Sequence, residues 1–150
     1  MNIIFSDEKM PGKTLVDLMT RAGILSITDS GLDPDTVEIS VTFVDAEEMR
    51  ELNHIHMGKN QVTDVLSFPQ YSSIEEMPRD GYFSIGDVVV CSEQALLQAD
   101  EFGHSPEREL VYLFVHSIFH LMGYDHDAEE TRTEMREAEE KIMSEMGLLR

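Results

Sequence analysis

At 150 residues, with 41% hydrophobic side chains and no internal repeat, the chain can bury one core without disulfide or metal staples, and it reads as a single domain over residues 1–150. No apolar run approaches the roughly 18 residues of a membrane span, residues 1–10 lack the parts of a signal peptide, and the single Cys91 excludes an internal disulfide framework, so a cytoplasmic protein is expected. A formal net charge of −19 excludes broad, unspecific adhesion to nucleic acid, and leaves room for a nucleic-acid substrate only where a metal ion or a few local cations govern one cleft.

In chain order, residues 2–5 are a short strand. Leu15, Val16, Leu18, Met19 and Ala22 keep helical spacing after Lys13, and Gly23 is expected to close that helix. Residues 29–35 are loop by composition. Val37, Ile39, Val41 and Phe43 alternate with Glu38, Ser40 and Thr42, the period of a strand with one buried face. Asp45 and Glu48 form a capping box for a helix that runs to about Ile55 and is broken by Gly58. Residues 65–68 are a brief strand stopped by Pro69, and residues 71–80 are expected to be a mobile loop. Residues 85–91 form a near-continuous apolar run suited to an internal strand, with Cys91 as buried filler.

Ser92 is expected to cap a helix carrying Ala95, Leu96, Leu97 and Ala99. Ser105 as N-cap and Pro106 at the first position open a long helix, whose packed flank holds Leu110, Leu113, Phe114, Ser117 and Leu121. Asp127 and Glu130 form a capping box for the last helix. Met135, Ala138, Ile142 and Met146 make its apolar stripe, and its glutamates a solvated face. Four strands and five helices make an α/β (α+β) domain.

The chemistry concentrates in residues 116–126, which hold three of the six histidines. His116 and His120 stand four apart, so a helix stacks them on one face. Gly123 is the residue type that ends a helix in a left-handed turn, which returns the chain and brings in His126. Three neutral imidazoles with an open fourth position are the donor set of a catalytic zinc site; a lone pair four apart serves packing or hydrogen bonding as readily, and the third histidine with the turn glycine favours the metal. Zinc held this way keeps its full charge and can lower the pKa of a bound water toward about 7. The metalloprotease pattern H-E-x-x-H would put a glutamate at position 117. Here it is Ser117, a small packing residue, and a peptidase reading loses its base. Asp125, beside a ligand, would orient an imidazole or move a proton. His56 is a surface histidine or an accessory donor; His54 reads as surface and His104 as part of a helix-opening turn.

The H-x-x-x-H-x-x-x-x-x-H stretch, ending Gly123-Tyr124-Asp125-His126, resembles the bacterial YbeY family of rRNA maturation factors. So do Thr63-Asp64-Val65-Leu66-Ser67-Phe68-Pro69, Leu52-Asn53 and Gly86-Asp87, in matching order and spacing from about Val37 to the C-terminus. The resemblance implies a compact fold with a small mixed sheet packed by helices and a zincin-like metal-binding helix in a cleft. It implies a zinc-dependent, single-strand-specific endoribonuclease acting in 3′-end maturation of small-subunit rRNA and in ribosome quality control. One Zn²⁺ per chain on His116, His120 and His126 is implied, with single-stranded rRNA, the ribosome and its associated proteins as partners, and neither DNA nor membrane.

The chain departs from the family at His56-Met57, where relatives carry an aromatic residue followed by a cleft-facing arginine. Lys59 is the nearest substitute cation, a point charge without the arginine fork, and Thr63 and Asp64 are further candidate substrate contacts. Attack by water or by the RNA's own 2′-OH stays open. Two other classes stay open as well: a metal-dependent hydrolase of another bond, such as a peptide, and a non-catalytic ribosome-associated protein with a structural metal.

Overall fold

The computed structural model describes residues 1–5 and 11–148. Four strands, β1 (Asn2–Phe5), β2 (Val37–Val44), β3 (Val65–Pro69) and β4 (Phe83–Cys91), form one mixed sheet in the order β1-β2-β4-β3. β1, β2 and β4 run parallel, and β3 pairs antiparallel on the far edge. Five helices accompany it: α1 (Lys13–Asp29), α2 (Ala46–Met57), α3 (Ser92–Phe102), α4 (Pro106–Leu121) and α5 (Glu129–Glu145). The expected α+β architecture stands.

Alternation along β2 puts Val37, Ile39, Val41 and Phe43 into the main apolar core, with Ile85, Val88 and Val90 of β4. α4 is the centre of that core. Eleven of its sixteen residues are buried, including Leu113, Phe114, Ile118 and Leu121, and a helix apolar on nearly every side must be surrounded. Met19, Ala22 and Ile27 of α1, Ala95 of α3, and Met135, Ile142 and Met143 of α5 do the surrounding. A smaller cluster, Val44, Met49, Leu66 and Cys91, packs α2 against β3 and β4.

Four local expectations are corrected. α1 does not stop at Gly23 but continues to Asp29, because Leu25, Ser26 and Ile27 prolong its packed face. Gly23 serves close packing instead: an added Cβ would stand 2.7 Å from Met1 Sδ. The stop comes at Gly31 (φ +86°), where the Leu32 N–H reaches the Ile27 carbonyl at 3.2 Å. Cys91, not Ser92, occupies the N-cap of α3, and no side chain caps it. α5 is capped from Ala128, whose N–H is met by the Thr131 hydroxyl at 3.2 Å, so Asp127 lies one residue too early. The 71–80 segment is tied down, with a 3-10 turn at Ile74–Glu76 and Met77 buried in the main core.

Candidate metal centre

The centre is built from the end of α4 outward. Ser105 caps the helix by accepting the Arg108 N–H at 3.2 Å, with Pro106 at the first position. About three turns on, Ser117 is fully buried and its hydroxyl donates to the Leu113 carbonyl at 2.9 Å, a packing role. The helix breaks at Gly123 (φ +100°), where the Tyr124 N–H bonds the Phe119 carbonyl and the Gly123 N–H the His120 carbonyl, both at 3.0 Å. A side chain there would meet the backbone of Ser72 and Ser73 at 3.0–3.2 Å, so the loop before β4 also requires glycine at this turn.

The turn carries His126 back to the helix face. Ring centres lie 5.1 Å apart for His116–His120 and His120–His126, and 6.0 Å for His116–His126. Three imidazoles converging tetrahedrally on one ion, with metal–nitrogen distances of about 2.0–2.1 Å, have ring centres about 5 Å apart. The donor set fits. As the rings are turned here, no group of three or more His, Cys, Asp or Glu residues among those described closes on an ion position. The triangle is widest between His116 and His126, and the exposed His126 is the ring with room to turn.

All three histidines line one cleft of about 450 Å³, together with Met57, Asp64, Val65, Leu66, Ser67, Tyr112 and Leu113. Asn53 stands outside the lining: buried on α2, it donates to the Gln61 carbonyl at 2.9 Å and fixes the loop leading into β3. Asp64 follows on that loop. Its Oδ1 accepts the Val65 N–H at 2.7 Å and the Thr63 hydroxyl at 3.3 Å, so Thr63 supports Asp64 from outside the lining. Lys59 is exposed and stands outside the lining too. His56 sits edge-on to Phe68, ring centres 5.0 Å apart.

Asp125 faces elsewhere. It borders a separate hollow with Ser73, Tyr124 and Thr131, and its Oδ1 accepts the Asp127 N–H at 3.3 Å. The Thr131 hydroxyl and that N–H hold its carboxyl below the usual carboxylate range. A carboxylate that does touch a histidine is Glu139, which the sequence pattern assigns to the solvated face of α5. It is buried, with Oε2 2.5 Å from His116 Nδ1 and Oε1 accepting the Tyr112 hydroxyl at 3.0 Å.

The family model described as Endoribonuclease YbeY matches residues 3–147. The chain belongs to that family. Among its relatives, the Endoribonuclease YbeY of Caldanaerobacter subterraneus is 45% identical over 160 residues, covering 100% of both chains. That of Alkaliphilus metalliredigens is 46% identical over 136 residues, covering 91% of this chain and 87% of the relative. The solution structure of TM1509 from Thermotoga maritima superposes with a TM-score of 0.62 at 28% identity, over 97% of this chain and 91% of that one.

In this YbeY family member the surroundings of His120 shift its titration. Burial first, then the neighbouring His116 and His126, push its pKa below the ordinary 6.5, against the weaker opposite pull of Glu139 and Asp127. Between the folded value and about 6.5 the unfolded chain holds a proton that the folded chain does not. This contribution to stability is therefore complete above about pH 6.5 and is lost as pH falls through that window. Metal-free protein is expected to melt lower at about pH 5.5 than at about pH 7.5, and the drop should shrink in His120→Asn. Thermal melts of both proteins at the two pH values check this, and equal drops would refute it.

Proposed function

We propose that the chain is a zinc-dependent, single-strand-specific endoribonuclease of the cytoplasm, acting in 3′-end maturation of small-subunit rRNA and in ribosome quality control. Membership of the family named Endoribonuclease YbeY supports the RNA-cleaving activity. The observation that carries the metal dependence is the gathering of His116, His120 and His126 around one cleft. No described helix is long and apolar enough to cross a membrane.

His116, His120 and His126 would hold the ion. Zinc supplies Lewis acidity that stabilises the charge developing on phosphoryl oxygens. The rest is done by the chain's own residues. Met57, Val65, Leu66 and Leu113 give the cleft an apolar wall for an unstacked base, while Ser67 and Tyr112 place hydroxyls beside the histidines. A base must leave its stack to use that wall, which favours single strands over duplex. Asp64 is the carboxylate on the lining and the acceptor at hand for the proton released by the attacking oxygen.

The test is cleavage of single-stranded and duplex rRNA fragments by zinc-loaded protein, beside a chelator-treated sample and a peptide substrate. Single-strand cleavage that vanishes on chelation supports the assignment. Peptide cleavage alone would move it to another hydrolase class.

No lysine or arginine among the described residues lines the cleft, and the chain carries a net charge of −19. RNA is therefore expected to bind with little salt dependence, with the ribosome and its associated proteins supplying the remaining positioning. Met57, exposed at the end of α2 and on the cleft rim, is where a cation is missing. Met57→Arg should tighten single-stranded RNA binding severalfold and steepen the log–log salt slope by about 0.7, the value of one added phosphate contact. Anisotropy titrations over a salt series measure both, and an unchanged slope counts against phosphate reaching this rim.

A further inference from the structure

Glu139 breaks the pattern of its helix. Met135, Ile142 and Met143 share its side of α5 and are buried, and Glu139 itself is only 4% exposed. An ionised carboxylate in such a place is costly unless its oxygens are met by donors. Both are met, Oε1 by the Tyr112 hydroxyl at 3.0 Å and Oε2 by His116 Nδ1 at 2.5 Å. Because a carboxylate only accepts, this contact keeps the proton of the neutral His116 ring on Nδ1 and leaves the lone pair on Nε2, the nitrogen with which the ring can bind a cation. Tyr112 lies one turn before His116 on α4, so its hydroxyl braces Glu139 from the same helix that carries the ligand.

We propose that Glu139, seated by Tyr112, is the positioning residue of the metal centre: it sets the tautomer and ring plane of His116 and so makes α5 part of the site. The proposal rests on the three-histidine reading of the cleft. α4 supplies two imidazoles and the Gly123 turn a third. α5, from the far end of the chain, holds the first of them in the form that binds metal. A carboxylate behind a histidine also raises the basicity of the nitrogen facing the metal.

The informative variant is Glu139→Gln. Its size is unchanged, but its amide group can donate to Nδ1 and drive the His116 proton onto Nε2, closing the ligand position. Zinc affinity, measured by competition with a chromophoric chelator near pH 7, is expected to fall about 10–100-fold. Tyr112→Phe removes one brace and should cost less, about severalfold. In metal-free protein, the ¹⁵N shifts of the His116 ring should report an Nδ1–H tautomer in the wild type and a shift toward Nε2–H in Glu139→Gln, which a merely structural carboxylate would not produce. Zinc affinity unchanged in Glu139→Gln, or the same His116 tautomer in both proteins, overturns the proposal. Folded wild type that binds no zinc would overturn the three-histidine reading, and the tautomer measurement would still judge Glu139. Should Glu139→Gln fail to fold, Tyr112→Phe and the wild-type ring shifts carry the test, and an Nε2–H tautomer in the wild type refutes it.

Discussion

Replacing His120 with alanine is expected to abolish single-strand RNA cleavage, by at least about a thousandfold, and to loosen zinc to the same qualitative degree as chelation. The reason is the ring's central place. His120 stands 5.1 Å from each of the other two imidazoles, which are themselves 6.0 Å apart. Without it, His116 and His126 remain as a splayed pair that leaves an ion underligated and poorly oriented for phosphoryl chemistry. Folding should survive, because the ring is partly exposed and the truncation removes the crowding that disfavours its charge. Circular dichroism, zinc titration and the cleavage assay on one preparation separate these effects. A folded His120→Ala that cuts single-stranded RNA as fast as the zinc-loaded wild type would sink the metal-dependent reading. A wild type that binds zinc and RNA yet cuts nothing would leave the ribosome-associated binding protein as the stronger alternative.

What could be read from the sequence was what is local. The placement of His116, His120 and His126 depends on one helical period and one turn, and Gly123 takes the positive φ that the turn demands. β2 declares itself by alternation and α2 by the Asp45 cap, whose Oδ1 accepts the Glu48 N–H at 2.9 Å. Reading fails where two signals compete or where the partner is remote. Gly23 looks like a helix stop only if the apolar residues beyond it are ignored; its purpose depends on Met1 and Phe114, which no local pattern reveals. Asp125 attracts attention because it adjoins His126 in sequence, but its own turn holds it through Asp127. Glu139, 23 residues from His116, hides among the glutamates of α5. One signal was available: position 139 falls four after Met135, three before Ile142 and four before Met143, so it is a carboxylate on the apolar stripe.

The second large effect is expected at Gly86, which lies outside the cleft lining. Its φ of +145° lies outside the range that residues with side chains favour. An added Cβ would stand 2.3 Å from the Phe68 carbonyl oxygen and 2.9 Å from Leu121 Cδ2. Leu121 could give way; the Phe68 carbonyl could not, because it belongs to β3, the edge strand paired to β4 through this region. Gly86 also pairs with Ile39 of β2 just past a register shift in which β4 carries the extra residue, Ile85, so the backbone is constrained from both sides. Gly86→Ala should cost about 3–5 kcal/mol from backbone strain and overpacking together, which for a domain of this size lowers Tm by roughly 10 °C. Gly103→Ala is the control. Gly103 also has positive φ, +70°, but an added Cβ there meets nothing within 4 Å, so only the conformational cost of about 1–2 kcal/mol applies. Melts of the two variants in chelator separate clash from strain, and equal losses would refute the clash. The consequence for the site follows from connectivity. β3 carries Val65, Leu66 and Ser67 of the cleft wall, and Leu121 directly follows His120, so the one glycine that lets β3 close on β4 also sets the distance between the wall and the histidines.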